Sequence, residues 1–255
     1  VKNEYILEVE GIVNKRKNSN LNLDTGEIEV SGVSFKIISK SKNTPIIVDN
    51  ITDALEDTRL KYRYLDLRRK PMQDKLILRH KLSCSIREFL NNNDFIEIET
   101  PILTKSTPEG ARDYVVPSRV NKNKFYALPQ SPQLFKQLLM ISGFERYYQF
   151  ARCFRDEDLR SDRQPDFTQI DIEMSFFTKD QIIDLIEDMY IKVLQDTLNY
   201  KIYKPFKTLT YNDALNIYGS DKPDTRFDLK LNDVSEILKD NNHDLFVKNN
   251  CVAKT

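Results

Sequence analysis

YYQFARCFRDEDLRSDRQPDFTQIDIEMSF, residues Tyr147–Phe176, reads as two strands around a charged connector. In its second half Phe167, Gln169, Asp171, Glu173 and Ser175 alternate with Thr168, Ile170, Ile172, Met174 and Phe176. That period of two turns successive side chains to opposite faces of a sheet. One face is apolar and meets a core. The other carries amides and carboxylates, and the first strand, YYQFARCF, delivers Arg155 beside them. Such a polar face is either the solvated side of an antiparallel sheet or a concave surface suited to a small zwitterion with a phosphate beside it.

Thr178 and Gln181, just beyond, have the spacing of a capping box and open a helix through about Leu198, with Ile182, Ile186, Met189 and Val193 as its apolar stripe. Upstream, Ser131-Pro132 reads as an N-cap followed by proline at the first helical position of PQLFKQLLMIS. Leu134, Leu138 and Ile141 share one side of that helix; Gln133, Lys136 and Gln137 share another. Phe125–Leu128 is a short strand, TPEGARDY around Gly110 a mobile loop, and FIEIETPIL a strand. Pro71 opens a helix over Met72–Leu90, with Leu78, Leu82, Ile86 and Phe89 at helical spacing. It stops at Asn91-Asn92-Asn93-Asp94, whose short polar side chains tolerate left-handed geometry. In the first fifty residues YILEVEGIV, GEIEV and VSFKII form a small β module, and a charged connector follows from about Asp53 to Lys70. Strands mixed with helices, without a βαβ rhythm, predict an α+β fold with an antiparallel sheet.

A chain of 255 residues with 40% hydrophobic content makes one large domain, or a small one joined to a larger, around a packed core. Its 39 Lys and Arg balance 39 Asp and Glu, so no global field draws it to a polyanion. The basic run from Arg59 to Arg87 is expected to be a solvated helix face. There is no long apolar run, and VKNEYILEVE is not a secretory signal, which reads as a cytoplasmic protein with no membrane association. Cys84, Cys153 and Cys251 are isolated, excluding a disulfide framework or a CxxC motif. His80 and His243 alone are too few for a typical zinc site, and they make a His-based triad improbable. Neither phosphate-binding glycine motif can be built from the 6 glycines. Any ATP must be gripped by side chains: arginines for phosphate, acids for Mg2+, and an aromatic such as Phe167 for the base. A carboxylate attacking the α-phosphate of ATP is already ionised at neutral pH, so that reaction needs positioning and electrostatics rather than a general base.

Several segments carry a family resemblance that covers almost the whole chain. FRDEDLRSDRQPDFTQID resembles motif 2 of the bacterial-type aspartyl-tRNA synthetases, which are class II enzymes. TRLKYRYLDLRR resembles their hinge, DFIEIETPIL their motif 1, TPEGARDYVVPSR and LPQSPQLFKQLLM their amino-acid-binding segments, and YGSDKPDTRF the stretch before their insertion domain. The resemblance implies an incomplete N-terminal OB-fold β-barrel that reads the tRNA anticodon (1–48), a hinge (49–70), an incomplete class II antiparallel-sheet catalytic core (71–225) and the start of an insertion domain (226–255). The implied activity is aspartate–tRNA ligase. A homodimer would activate L-aspartate with ATP and Mg2+ to aspartyl-adenylate and transfer it to the 3′ end of tRNA(Asp).

By the same resemblance Arg155 and Glu157 are catalytic, Arg155 holding the α-phosphate and the aspartate α-carboxylate, Glu157 serving ATP and its Mg2+. Asp156, Gln164 and Phe167 complete the ATP site, with Phe167 stacked on adenine. Glu109, Ser131, Gln133 and Asp171 surround the aspartate ammonium, with Gln169 nearby. Lys136 pairs with the substrate side-chain carboxylate, favouring Asp over neutral Asn. Arg160 and Arg163 approach the tRNA acceptor end. Asp94 stands where the family usually has glycine, and Asp166 where it usually has glutamate. Motif 3, with its ATP-binding arginine, does not occur, nor does the downstream arginine that joins Lys136, so the expectation is a fragment inactive alone. Open alternatives are a class II relative for another amino acid, a non-discriminating enzyme that also charges the asparagine tRNA, and a non-catalytic tRNA-binding paralogue.

Overall fold

β-Branched residues draw the N-terminal segment into two strands, β1 (Ile6–Lys15) and β2 (Ile28–Ser39), which pair antiparallel. The computed structural model describes residues 1–107, 109–158, 160 and 163–234, and the chain divides into two compact units, Val1–Cys84 and Ser85–Thr255. In the first unit β2 is one strand of 12 residues where the sequence suggests GEIEV and VSFKII as two. Glycine explains the continuity. Gly11 lies opposite Gly32 at a register shift, and a Cβ on Gly11 would sit 2.4 Å from the Ser31 carbonyl oxygen. Val9 faces Phe35, Leu7 faces Ile37 and Val13 faces Val30 across a two-stranded ribbon; no closed barrel forms among the described residues.

The charged connector folds into α1 (Glu56–Lys61) and α2 (Arg63–Asp66) around one carboxylate. Asp66 is fully buried and accepts from Arg59 Nε at 3.0 Å, Arg63 Nη1 at 2.7 Å and Arg69 Nη1 at 2.8 Å. Arg69 also donates to the carbonyls of Asp49 and Asn50, at 2.8 and 2.9 Å. An ionised carboxylate is tolerated away from water only with such partners. Part of the basic run therefore turns inward instead of forming the solvated face expected for it. The Arg59 hydrogen bond, against the cost of burial and with help from Arg69, holds the Asp66 carboxyl down at about 2.

Helix α3 (Lys70–Asn92) begins in the first unit and ends in the second, with Pro71 in its first turn, where its missing N–H costs nothing. Leu78 and Leu82 are half-buried, Ile86 and Phe89 buried. Asp94 then takes the left-handed conformation expected of it, at φ 62°. The second unit continues with β3 (Ile96–Glu97), β4 (Val115–Pro117), β5 (Phe125–Ala127), α4 (Gln133–Ile141), β6 (Arg146–Phe154), β7 (Asp166–Met174), α5 (Lys179–Leu198) and α6 (Tyr211–Tyr218). β6 and β7 form the expected antiparallel pair, β3 adds a two-residue parallel edge to β6, and β4 pairs with β5. Tyr147, Tyr148, Ala151 and Cys153 of β6 are buried, as are Phe95, Met189, Val193 and Ala214. The Thr178–Gln181 capping box opens α5, and Asn199 closes it in the left-handed region. No helix among the described residues is long and apolar enough to cross a membrane.

Helix α4 begins one residue later than the sequence suggests, although Ser131 Oγ does accept the Gln133 N–H at 3.3 Å. Leu134, Leu138 and Ile141 point outward, 54, 58 and 83% exposed, while the Lys136 side chain is only 11% exposed. The side that packs is mixed, with Gln133, Phe135, Lys136, Leu139 and Met140 half-buried and Gln137 exposed.

The Asp66 cluster sets a pH dependence. A carboxyl held below its unfolded value of 3.8 adds stability that is complete above that value and is lost as pH falls through about 2. Asp66→Asn should lower the thermal midpoint by roughly 5–10 °C near neutral pH. It should also flatten the loss of midpoint between pH 4 and pH 2, read by circular dichroism.

Candidate active site

The antiparallel register decides what the sheet presents. Cys153 pairs with Phe167, Ala151 with Gln169, Gln149 with Asp171 and Tyr147 with Glu173, so these eight side chains share one face. Thr168, Ile170, Ile172 and Met174 share the other with Tyr148 and Phe150, and there the Arg87 guanidinium lies 4.3 Å from the Phe150 ring centre.

On the polar face, Lys136 reaches from α4 to donate to Asp171 Oδ1 at 2.8 Å, and its Nζ lies 3.2 Å from Glu173 Oε2. Burial pulls the ammonium pKa down, but the bonds to Asp171 and Glu173 outweigh it and the net shift is upward, so the lysine stays charged. The second Asp171 oxygen, Oδ2, is buried and has no hydrogen-bond partner. Nearby, Ser131 Oγ donates to Glu109 Oε2 at 2.7 Å, and Thr107 Oγ1 donates to Glu109 Oε1 at 3.2 Å.

Arg155 follows the last residue of β6. Its guanidinium lies 5.0 Å from the Phe167 ring centre, and its Nε is buried without an acceptor. Both residues line a cavity of about 390 Å³ with Glu157, Asp158, Arg163, Gln164 and Pro165. Arg163 Nη1 is 3.7 Å from Glu157 Oε2. A neighbouring concavity of about 320 Å³ adds Gly110, Ala111, Arg112, Asp156 and Arg160. The two share Glu157, Asp158 and Arg163 in their linings, so residues of both charges stand at both.

The Cys153 thiol, fully buried on the floor, senses this convergence. Burial pushes its pKa up to about 11; Arg155 pulls it down, Asp171 pushes it up, a hydrogen bond with the Gln169 backbone lowers it and Glu109 raises it again. Its Sγ donates to Gln169 Oε1 at 3.2 Å. Tyr147 is also fully buried; its hydroxyl donates to Gln149 Oε1 at 2.7 Å, and burial, with Asp171, Cys153 and Glu173 nearby, raises its pKa. The floor is therefore neutral, and the charges stand on β7, α4 and the loops.

Of the residues singled out from sequence, Arg155, Gln164 and Phe167 line one cavity, Asp156 and Arg160 line its neighbour, and Glu157 and Arg163 line both. Lys136 meets Asp171, Ser131 meets Glu109, and Gln169 sits between Phe167 and Asp171 on their face. Gln133 is half-buried in the first turn of α4. Sequence reasoning places Glu173 on this face without a task; the structure gives it Lys136 as partner. It gives no role to Gln130 and reads Cys153 only as an isolated thiol, since neither carries a spacing signal. The loop around Gly110 makes these contacts: Gln130 bonds Ala111, Ser131 bonds Glu109, and the Asp156 N–H donates to the Arg112 carbonyl at 3.0 Å. Among the described residues no three His, Cys, Asp or Glu side chains cluster to hold a metal ion.

Residues 55–250 match the family described as class II tRNA synthetases for D, K and N. The aspartate–tRNA ligase of Mycoplasma mycoides subsp. mycoides is 56% identical over 258 residues, covering 99% of this chain and 45% of that protein. The aspartate–tRNA(Asp/Asn) ligase of Bacillus cereus is 59% identical over 238 residues, covering 92% of this chain and 40% of that protein. The chain thus spans less than half the length of either relative. Among solved structures, the Entamoeba histolytica asparaginyl-tRNA synthetase in complex with asparaginyl-adenylate superposes with a TM-score of 0.66 at 20% identity, over 82% of this chain and 50% of that one, a likeness of fold.

The thiol environment yields a direct check. Cys84 is exposed and Cys153 buried with a raised pKa, so a maleimide at pH 7.5 should label Cys84 at least about tenfold faster, as read by peptide mass mapping.

Proposed function

The chain belongs to the class II tRNA synthetases of the aspartate, lysine and asparagine group, and on that premise we propose that its site joins L-aspartate to tRNA(Asp) by way of aspartyl-adenylate. Two orphaned atoms carry the reading: Arg155 Nε, a buried donor without an acceptor, and Asp171 Oδ2, a buried acceptor without a donor. Each such atom costs about 1–3 kcal/mol while unpaired. An amino acid answers both demands, its α-carboxylate taking the Arg155 guanidinium and its ammonium the Asp171 carboxylate. Glu109, Ser131 and Gln133 add acceptors around the ammonium, and Gln169 lies between the two ends.

Lys136 takes the substrate side-chain carboxylate. It shares its ammonium with Asp171 and Glu173, so the cluster alone is net negative. A neutral asparagine side chain would leave the lysine without that third anion.

In the activation step a carboxylate oxygen of aspartate attacks the α-phosphorus of ATP and pyrophosphate leaves with the electrons of the broken P–O bond. No proton is transferred, because the nucleophile is already ionised. Arg155 bridges the attacking carboxylate and the α-phosphate and stabilises the charge that builds there. Phe167 offers its ring to adenine, and Gln164 and Asp156 flank the nucleotide. The oxygen-rich rim suits Mg2+ held largely by phosphate oxygens, with Glu157 as its protein carboxylate; the ion would supply charge neutralisation. Arg160 and Arg163, on the rim, receive the acceptor end of the tRNA.

The proposed layout assigns 1–48 to an anticodon-reading OB-fold, 49–70 to a hinge, 71–225 to the catalytic core, and 226–255 to the start of an insertion domain, of which 235–255 lie outside the described residues. Assembly as a homodimer, with its contact at the motif 1 segment DFIEIETPIL, and a cytoplasmic compartment complete the proposal. Aspartylation of both aspartate and asparagine tRNAs is a second reading, favoured by the likeness to the B. cereus enzyme of that name.

ATP–pyrophosphate exchange by the full gene product, offered Asp, Asn and Lys separately, tests the activity. Exchange with Asp alone is expected, and a folded protein that exchanges with none overturns the reading. Lys136→Met should raise the KM for aspartate about 100-fold and leave the KM for ATP within a few-fold. Phe167→Ala should do the reverse, raising the KM for ATP about tenfold.

A further inference from the structure

Gln130 lies in the turn between β5 and α4 and is 1% exposed. Its Oε1 accepts the Ala111 N–H at 3.2 Å, while its Nε2 donates to the Ala111 carbonyl at 2.9 Å and to Asp113 Oδ1. Ser106 Oγ caps the other Asp113 oxygen. A primary amide is the side chain that offers a donor and an acceptor at one end, as another strand would. A carboxylate in its place would bring no donor and would face both the Ala111 carbonyl and Asp113.

The grip falls at a revealing place in the loop. Gly110, at φ +100° and with no atom of the described residues beyond its chain neighbours within 4 Å of where a Cβ would stand, is a pivot between Glu109 and Ala111. Ser131, the residue after Gln130, holds the Glu109 carboxylate at 2.7 Å. One two-residue turn thus holds the loop backbone on one side of the pivot and its carboxylate on the other. Beyond Ala111 the backbone bonds to Asp156, on the nucleotide side of the groove.

We propose that Gln130 is a positioning residue that fixes the backbone at Ala111 and so sets the Glu109 carboxylate for the substrate ammonium, an inference that rests on the aminoacylation reading above. It acts on the amino-acid end of the site and leaves the nucleotide end to Arg155 and Phe167.

The test uses Gln130→Glu and Gln130→Met in the full gene product, with two readouts. In ATP–pyrophosphate exchange the KM for aspartate should rise about tenfold while the KM for ATP stays within about twofold. In hydrogen exchange the Ala111 amide, protected in the parent, should exchange at least about tenfold faster, with β6 and β7 amides unchanged. An unchanged KM for aspartate in a folded variant, or equal rises for both substrates, overturns the proposal. If the parent shows no aspartate-dependent exchange, the functional reading falls, and the role of Gln130 in that reaction falls with it. If neither variant folds, the parent decides: fast Ala111 exchange both with and without aspartate overturns the proposal, and protection that deepens with aspartate supports it.

Discussion

The register of β6 against β7 is the constraint on which the second unit depends. Because side chains alternate with a period of two, a slip of one residue would exchange the Gln169–Asp171–Glu173 row for Ile170, Ile172 and Met174 and turn the charges into the core. Burial fixes the choice. Tyr147, Tyr148 and Cys153 are fully enclosed on β6, and moving them would open apolar surface on one side while burying carboxylates on the other. Correct pairing therefore lays a neutral, rigid floor under a row of polar groups. Charges that would be screened in open water act there at closer to full strength.

The chemistry divides along that floor. Toward Arg155 and Phe167 the surface joins a guanidinium to an aromatic face, which the proposed function gives to phosphate and base. Toward Lys136, Asp171 and Glu173 it is a compact ionic cluster with one acceptor left over. α4 serves the cluster at the expense of its own amphipathicity, since it turns Lys136 inward and leaves Leu134, Leu138 and Ile141 to the outside.

Alternation in FTQIDIEMSF, the Thr178–Gln181 box and the left-handed Asp94 are local signals, and each was legible because the physics behind it acts within a few residues. Motif-like runs also located Arg155, Phe167 and Lys136. What the sequence left hidden depends on long-range placement. The parallel β3 edge joins residues distant along the chain, and Gln130 meets Ala111 only after the loop folds back. Periodicity could not say that the leucines of α4 face outward, because a helix stripe records that two sides differ and not which neighbour each will meet. GEIEV and VSFKII read as separate strands, yet the chain runs straight through them, and it is Gly11, opposite Gly32, that permits the close backbone approach.

Asp66 carries an evolutionary corollary. Three arginines share its buried carboxylate, and Arg69 also holds the Asp49 and Asn50 carbonyls. Loss of the acid alone strands buried positive charge, while loss of Arg69 alone removes a counter-ion and two carbonyl partners at once. Mutational paths out of this arrangement therefore run uphill at the first step, whichever residue changes first. Drift at positions 59, 63, 66 and 69 should be correlated, and a lineage that abandons the cluster should have replaced it as a block, with apolar residues of similar volume.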